Sequence, residues 1–293
     1  MNKKCFCLLA LLSVGMCFGN EALLREGESK KFCQTRDDDG NVFDVVKVRP
    51  PVCARPAGVP VLVGVEYAPR RFAVSRELLD DFYDFVRRLS AEQVSFALYL
   101  DGLVDITTEE VGIILSCCNG GEMLELRLLG TGNFLKGIEI NTDLINRIPK
   151  SVIRFYIANN VHINDDCIIC LSERLVDLEI LYLWNTVNVA NIALKQGLSQ
   201  CCNLKQLVLS CCDYVSSEGL KDLPKELDLL EIIGYAIEKD TVDDLVGALS
   251  CVAPKRLVMA ESLSRMLDEN QKRTLKEKSI TVEAVDYSPK RDF

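Results

Sequence analysis

A short apolar motif recurs along this chain at nearly constant intervals, and this recurrence constrains the fold more than any other feature. Its clearest copy is Cys201–Leu223, which reads C-x-x-L-x-x-L-x-L-x-x-C-x-x-V and then continues into a helical pattern. The alternating apolar residues predict a short strand, because successive side chains of a strand point to opposite faces. A unit of this size cannot bury its own apolar face and must stack on further copies.

The copies align on the first apolar residue of each strand core, which we call the marker. The markers are Leu98, Leu126, Phe155, Leu181, Leu207, Leu230, Leu257 and, more weakly, Ile280. Successive markers are 23–29 residues apart, and stacked repeats with one strand each span about 20–29 residues. We therefore expect an α/β fold, with a curved parallel sheet inside and helices outside.

A helical pattern follows each strand. In the third copy Asn160 occupies a turn and Ile163 enters the core, while Asn164 can cap a helix whose Ile168 and Leu171 point inward. The same spacing predicts inward residues in the other copies. These are Val111, Ile114, Leu115, Leu144, Ile145, Ile148, Leu220, Leu223, Val242, Leu245, Leu249, Leu263, Met266 and Leu267.

The Cys201–Leu223 unit resembles the cysteine-containing leucine-rich repeats of F-box substrate receptors, and the longer copies resemble those of ribonuclease inhibitor. The resemblance covers about residues 93–284, with Gly120, Leu175 and Thr186 standing where that subfamily often has cysteine. It implies seven to eight repeats in a leucine-rich-repeat solenoid that binds another protein. No F-box pattern precedes the repeats.

The first nineteen residues have the pattern of a secretory signal peptide. Lys3 and Lys4 precede the apolar run Leu8–Met16, and the small residues Cys17 and Gly19 follow it. An uncleaved anchor or a core strand is the alternative, although the run is short for a bilayer span. We expect a secreted protein that begins at Asn20. If the segment is not a signal, an intracellular adaptor or ubiquitin-ligase-type receptor is the alternative.

Residues 20–92 do not fit the repeat and are predicted to form an N-terminal cap, since a solenoid must cover its first exposed core. Asn41–Val48 and Val59–Val65 are predicted strands, and Ser75–Leu89 is a predicted amphipathic helix. Cys33 and Cys53 bracket the first strand, where they form either a stapling disulfide or two thiols. Residues 285–293 are predicted to be a polar tail.

Charge and motifs narrow the function classes. The chain has 34 basic and 43 acidic residues, and removing Lys3 and Lys4 leaves a net charge of −11. Such a surface disfavours nucleic acid and anionic membranes as partners. Cys167 and Cys170 have the spacing of a thiol-redox pair, but they flank Ile168 and Leu171, which favours packing. His162, the one histidine, falls in a turn. No catalytic, cofactor or metal site is predicted, so we expect a non-catalytic protein.

The strand residues that alternate with the core predict a binding surface. They should line the concave face of the sheet, where neighbouring strands are about 4.8 Å apart. Tyrosine, tryptophan and arginine carry much of the energy of protein interfaces, whereas exposed strand positions also favour aromatic residues for their own sake. The predicted protein-binding residues are Tyr99, Arg127, Arg154, Tyr156, Tyr182 and Trp184.

Overall fold

The structure of the 293-residue chain is a computed structural model. It describes residues 35–36, 42–43, 83, 87, 91, 95–99, 107–120, 122–129, 138–225, 227–234 and 241–286. The chain divides into two compact units. The first comprises Met1–Thr131, Leu135–Ile138 and Arg147–Ser151, and the second comprises Gly132–Phe134, Glu139–Asn146 and Val152–Phe293.

The first unit contains, among its described residues, four short strands and a helix that is described over its whole length. These are β1 (Thr35–Arg36), β2 (Val42–Phe43), β3 (Ser95–Tyr99), α1 (Thr108–Cys117) and β4 (Glu122–Leu129). Strands β3 and β4 pair in parallel with Leu98 opposite Leu126, as the predicted markers require. Thr107 begins α1 with a capping box, in which its hydroxyl accepts from the Glu110 amide and the Glu110 carboxylate accepts from the Thr107 amide.

The second unit contains six strands separated by helices or helical turns. In chain order its elements are α2 (Thr142–Ile145), β5 (Arg154–Ala158), α3 (Asp165–Arg174), β6 (Ile180–Trp184), the helical turns Ala193–Gly197 and Leu198–Gln200, β7 (Gln206–Ser210), α4 (Ser217–Leu220), β8 (Leu229–Ile232), α5 (Val242–Val252), β9 (Arg256–Ala260), α6 (Glu261–Met266), α7 (Glu269–Glu277) and β10 (Thr281–Val285).

Strands β5 to β10 pair in sequence order, and every pair is parallel. The markers Phe155, Leu181, Leu207, Leu230 and Leu257 stand opposite one another across β5 to β9. All five are fully buried. A parallel sheet whose strands alternate with helices, with one marker in each repeat, is the leucine-rich-repeat fold. The predicted fold class and register are confirmed over these strands.

The predicted eighth marker was wrong by two residues. Val282 of β10 stands opposite Leu257, so Val282 takes the marker position and Ile280 precedes the strand. Ile280 is nevertheless buried. Because side chains of a strand alternate with period 2, both residues point to the same face, and the alternation alone cannot distinguish them.

A residue in the left-handed backbone conformation follows each of the four consecutive strands β5 to β8. Asn159, Asn185, Cys211 and Gly234 have φ angles of 53°, 52°, 55° and 74°, each four residues after its marker. The amides of the first three donate to the carbonyls of Trp184, Ser210 and Ile233 in the next repeat, at 2.8–2.9 Å. The sheet ladder therefore continues past the strands into the turns, and it fixes where each chain segment leaves the sheet.

In the first three of these turns, the next residue lies in the core. Asn160, Thr186 and Cys212 are at most 4% exposed. The Asn160 side-chain oxygen accepts from the amides of His162 and Ile163, and the Thr186 hydroxyl lies 3.3 Å from the Cys212 sulfur. Small polar groups are tolerated inside a repeat core only when they are hydrogen-bonded in this way.

The predicted inward helical residues are confirmed with two exceptions. Met266 is 53% exposed, and Val242 is half-buried. Met266 is the last residue of α6, and the backbone becomes extended at Leu267, which is buried instead. Val242 occupies the first helical position of α5, directly after the Thr241 cap. At both ends of a helix, helical periodicity no longer determines which side chains face the core.

Few residues of the N-terminal region are described, and the cap stays a prediction. Strands β1 and β2 pair antiparallel. Residues 83, 87 and 91 are helical, and Tyr83 is buried. The predicted signal segment 1–19, the second predicted strand Val59–Val65, and Cys33 and Cys53 lie outside the described residues. The predicted tail lies beyond them from residue 287 on.

Candidate protein-binding surface

The strands of the second unit turn one face to the core, and on the opposite face of β5 and β6 the side chains of Tyr156, Tyr182 and Trp184 are only half-buried. We call this opposite face the open face. It is formed by residues that alternate with the buried markers, such as Tyr156 between Phe155 and Ile157, or Tyr182 between Leu181 and Leu183. The four flanking apolar side chains are fully buried, whereas the two tyrosines are half-exposed. The open face is therefore accessible without any change in the core.

Three aromatic rings contact one another on the open face of β5 and β6, and we call them the ring cluster: Tyr156, Tyr182 and Trp184. Tyr156 and Tyr182 are cross-strand neighbours with ring centroids 5.9 Å apart. Tyr182 and Trp184 meet edge to face at 6.4 Å. Both distances lie in the range of favourable aromatic pairs, about 4.5–7 Å. The strand register and these two ring contacts place the three side chains side by side on the open face.

The other predicted binding residues are placed at equivalent strand positions. Arg154 lies on β5, opposite Ile180 of β6 and one residue before the Phe155 marker. In the first unit, Arg127 of β4 is half-buried and lies opposite Tyr99 of β3. The side chain of Tyr99 lies outside the described residues. The structure thus brings Arg154 into the same sheet face as the ring cluster, and it places Tyr99 beside Arg127 as strand neighbours.

A carboxylate lies on the open face two strands from Tyr182. Val208 of β7 stands between Tyr182 and Glu231 of β8, and Val258 of β9 is the neighbour of Glu231 on the other side. Glu231 is half-buried, and its Oε1 accepts a hydrogen bond from the Ser210 hydroxyl at 3.2 Å. Burial raises the pKa of the Glu231 carboxyl, an effect that the Ser210 hydrogen bond partly offsets.

Glu231 is not among the binding residues predicted from the sequence. The available signal was its strand position one residue after a marker, where Tyr156, Tyr182, Val208 and Val258 are aromatic or aliphatic. Val208 and Val258, its neighbours on β7 and β9, are 6% and 7% exposed although they too lie on the open face.

On β9 and β10, two opposite charges of the open face form an ion pair. Arg256 of β9 donates from two guanidinium nitrogens to the two carboxylate oxygens of Glu283 on β10, each at 3.0 Å. This pairing lowers the pKa of Glu283 and raises that of Arg256. Arg256 is thus directed toward β10, and its guanidinium does not neutralise the carboxylate of Glu231.

The thiol groups behave as packing groups. Cys167 and Cys170 lie on α3 beside Ile168 and Leu171, and burial raises the pKa of both thiols. A reactive redox cysteine needs the opposite shift, because the thiolate is the nucleophile. Burial likewise raises the pKa of Cys201 and of Cys212 to about 11. His162 is exposed in a turn, as predicted.

Among the described residues there is neither a membrane-spanning helix nor a cluster of metal-binding side chains. Within the described part of the chain, every helix is too short or too polar to cross a membrane. The same residues contain no group of three or more histidine, cysteine or acidic side chains suited to hold a metal ion.

Comparison with known proteins adds two distant structural likenesses. No protein-family model matches the sequence, and no curated protein matches it. The leucine-rich-repeat-containing protein LegL7 from Legionella pneumophila is 19% identical, with a TM-score of 0.43. The aligned region covers 63% of this chain and 62% of LegL7. The tropomodulin C-terminal domain from Caenorhabditis elegans is 9% identical, with a TM-score of 0.30 and coverage of 69% and 90%. The strand register and the repeated turns establish the leucine-rich-repeat fold independently of both likenesses.

Proposed function

We propose that this chain is a secreted, non-catalytic leucine-rich-repeat scaffold that binds another protein through the open face of its second unit. Leucine-rich-repeat folds present extended sheets that serve as protein-binding scaffolds. The observation that carries the proposal is the ring cluster. Tyr182 contacts the other two rings, and all three side chains are only half-buried on the open face. Rigid aromatic side chains supply large contact areas at little entropic cost, which makes them frequent interface anchors.

A comparison of single variants of the full-length chain tests this role. Tyr182→Ala and Trp184→Ala remove rings from the open face, whereas Tyr214→Ala removes an aromatic side chain that is 57% exposed in the turn after β7. Truncating an interface anchor costs about 2 kcal/mol or more, or roughly 30-fold in affinity. We expect proteins captured by the wild-type chain to be lost with the two open-face variants and retained with Tyr214→Ala. Unchanged capture by both open-face variants would refute the binding role of the ring cluster.

Secretion is proposed from the pattern of residues 1–19. A charged start, a short apolar run and small residues before a cut are the features that signal peptidases recognise. Expression of the full-length chain in its own cells, followed by mass spectrometry of the amino terminus, tests the proposal. Mature protein beginning at Asn20 in the medium supports it. Intact Met1 in the cytosol would instead favour the intracellular adaptor role.

By strand equivalence, we propose that Arg154 contributes to the same surface, and that Tyr99 and Arg127 form a corresponding contact on the first unit. Arginine is enriched at interface anchors together with tyrosine and tryptophan. Arg154→Ala should weaken partner binding less than Trp184→Ala, because charges at an interface rim contribute little.

A further inference from the structure

The carboxylate of Glu231 lies close to the ring cluster, and among the described residues no basic side chain pairs with it. In the described part of the chain, the one hydrogen bond to Glu231 comes from Ser210, and no ion pair with Glu231 is formed there. The residues that face Glu231 from β7 are Gln206, Val208 and Ser210, and those from β9 are Arg256, Val258 and Ala260. Arg256 is the one cation among these residues. Two of its guanidinium nitrogens donate to the carboxylate of Glu283.

The spacing between the rings and this carboxylate fits one kind of side chain. Glu231 and Tyr182 are separated by two strand spacings, about 10 Å. Between them lies Val208, whose side chain is apolar and buried. Trp184 stands opposite Ser210, which donates to Glu231, so the ring cluster and the carboxylate are connected by direct neighbours. A long side chain with an apolar stem and a cationic end can reach from the rings to the carboxylate.

We infer that the partner presents a lysine or arginine whose cation is bound by Glu231 and whose aliphatic stem extends toward Tyr182. This inference rests on the proposed function, since it names the chemistry of the partner at the same face. Charge complementarity supports it, because the chain has a net charge of −9 and a half-desolvated carboxylate binds a cation more strongly than an exposed one does.

A peptide selection tests the inference on the full-length chain. Random dodecapeptides displayed on phage are selected on the immobilised wild-type protein, and the binders are then measured against Trp184→Ala. Peptides that lose binding to Trp184→Ala define the ring-dependent set. We expect this set to share a lysine or arginine and to bind Glu231→Gln at least ten-fold more weakly than the wild type. Glu218→Gln, which makes the same charge change at an exposed position of α4, should bind them normally.

A second measurement separates a direct contact from a general charge effect. The shared lysine of one peptide is replaced by norleucine, which keeps the stem and removes the cation. We expect this replacement to weaken binding to the wild type about ten-fold, as for a close interfacial charge pair, and to have no further effect on Glu231→Gln. The amide of the variant still accepts from Ser210, so the fold is expected to persist, and thermal unfolding confirms this.

The outcomes distinguish the inference from the function on which it rests. Ring-dependent peptides without a shared basic residue, or with equal affinity for Glu231→Gln, would overturn the inference and leave the proposed function standing. A selection that gives no ring-dependent peptide would contradict both. Self-association of the wild-type chain that disappears in Glu231→Gln would also overturn it, because a second copy of the chain would then be the occupant.

Discussion

The buried turn residue Asn160 offers a quantitative test of how the repeats are held together. Its side-chain oxygen accepts from the amide of His162 at 3.0 Å and from that of Ile163 at 3.1 Å, and the residue is 1% exposed. Asn160→Ala removes the one oxygen that accepts both hydrogen bonds. Each lost hydrogen bond costs about 1 kcal/mol net, and leaving the buried Ile163 amide unpaired costs about 1–3 kcal/mol. We expect the free energy of unfolding to fall by about 2–4 kcal/mol, since the two estimates overlap at Ile163.

The assay uses a probe that the chain already contains. Trp184, its one tryptophan, lies in the second unit, so its fluorescence during urea unfolding reports on the unit that contains Asn160. The change in free energy follows from the shift of the midpoint at constant slope. Asn188→Ala is the control, because the exposed Asn188 amide donates a single bond to the Val161 carbonyl. A loss for Asn160→Ala below 1 kcal/mol, or no greater than the control, would refute the argument.

Three further predictions concern stability and reactivity. Gly219→Ala should destabilise the fold by about 1–3 kcal/mol, because its Cβ would lie 2.4 Å from the side-chain oxygen of Asn191. Gly247→Ala should instead stabilise α5 by about 0.5–1 kcal/mol, since nothing lies within 4 Å of its Cβ. Urea unfolding measures both changes in the free energy of unfolding. Glu231→Gln should be more stable than the wild type at neutral pH and lose this advantage in acid. The folded-state pKa of Glu231 is raised, so its ionisation costs stability as the pH rises above the unfolded-state pKa. A difference in unfolding free energy that stays constant from pH 4 to 8 would contradict this. Native-state labelling with a maleimide at pH 7.5 should modify the exposed Cys202 and spare the buried Cys212, and mass spectrometry of the labelled peptides identifies each site.

Much of the second unit could be predicted from the sequence because each repeat contains its own alignment marks. The strand cores around Phe155 to Leu257 recur with enough apolar residues that one register buries all five markers. At β10 the apolar alternation does not identify the marker, because Ile280 and Val282 share a face. A shift of the register by two residues exchanges them and leaves the alternation unchanged. The pairing with Leu257 decides between them, and that pairing is a tertiary contact.

The turn residues show a second limit of sequence reasoning. Asparagine at positions 159 and 185 is a recognisable candidate for the left-handed conformation, since it tolerates positive φ better than most residues. Cys211 carries no such signal, and its φ of 55° is imposed by the ladder bond from its amide to Ile233. The repeat architecture therefore overrides the local preference of the residue that occupies the turn.

The candidate surface was predictable in its position and less so in its chemistry. Strand alternation placed Tyr156, Tyr182 and Trp184 on one face, and in the structure Tyr182 contacts the other two rings. The half-burial of Glu231 could not be predicted from the sequence, because it depends on the tertiary packing around the carboxylate.

Site-directed photo-crosslinking tests the central claim, that a protein binds the open face, most directly. A benzoylphenylalanine is placed at Tyr156 in the full-length chain, and a second chain carries it at Ile192, which is 53% exposed in the segment after β6. Both chains are expressed in their native cells and irradiated, and the crosslinked species are identified by mass spectrometry. The open-face position is predicted to capture one recurrent protein that the position at Ile192 does not. Crosslinks from Ile192 alone, or from neither position, would contradict the claim.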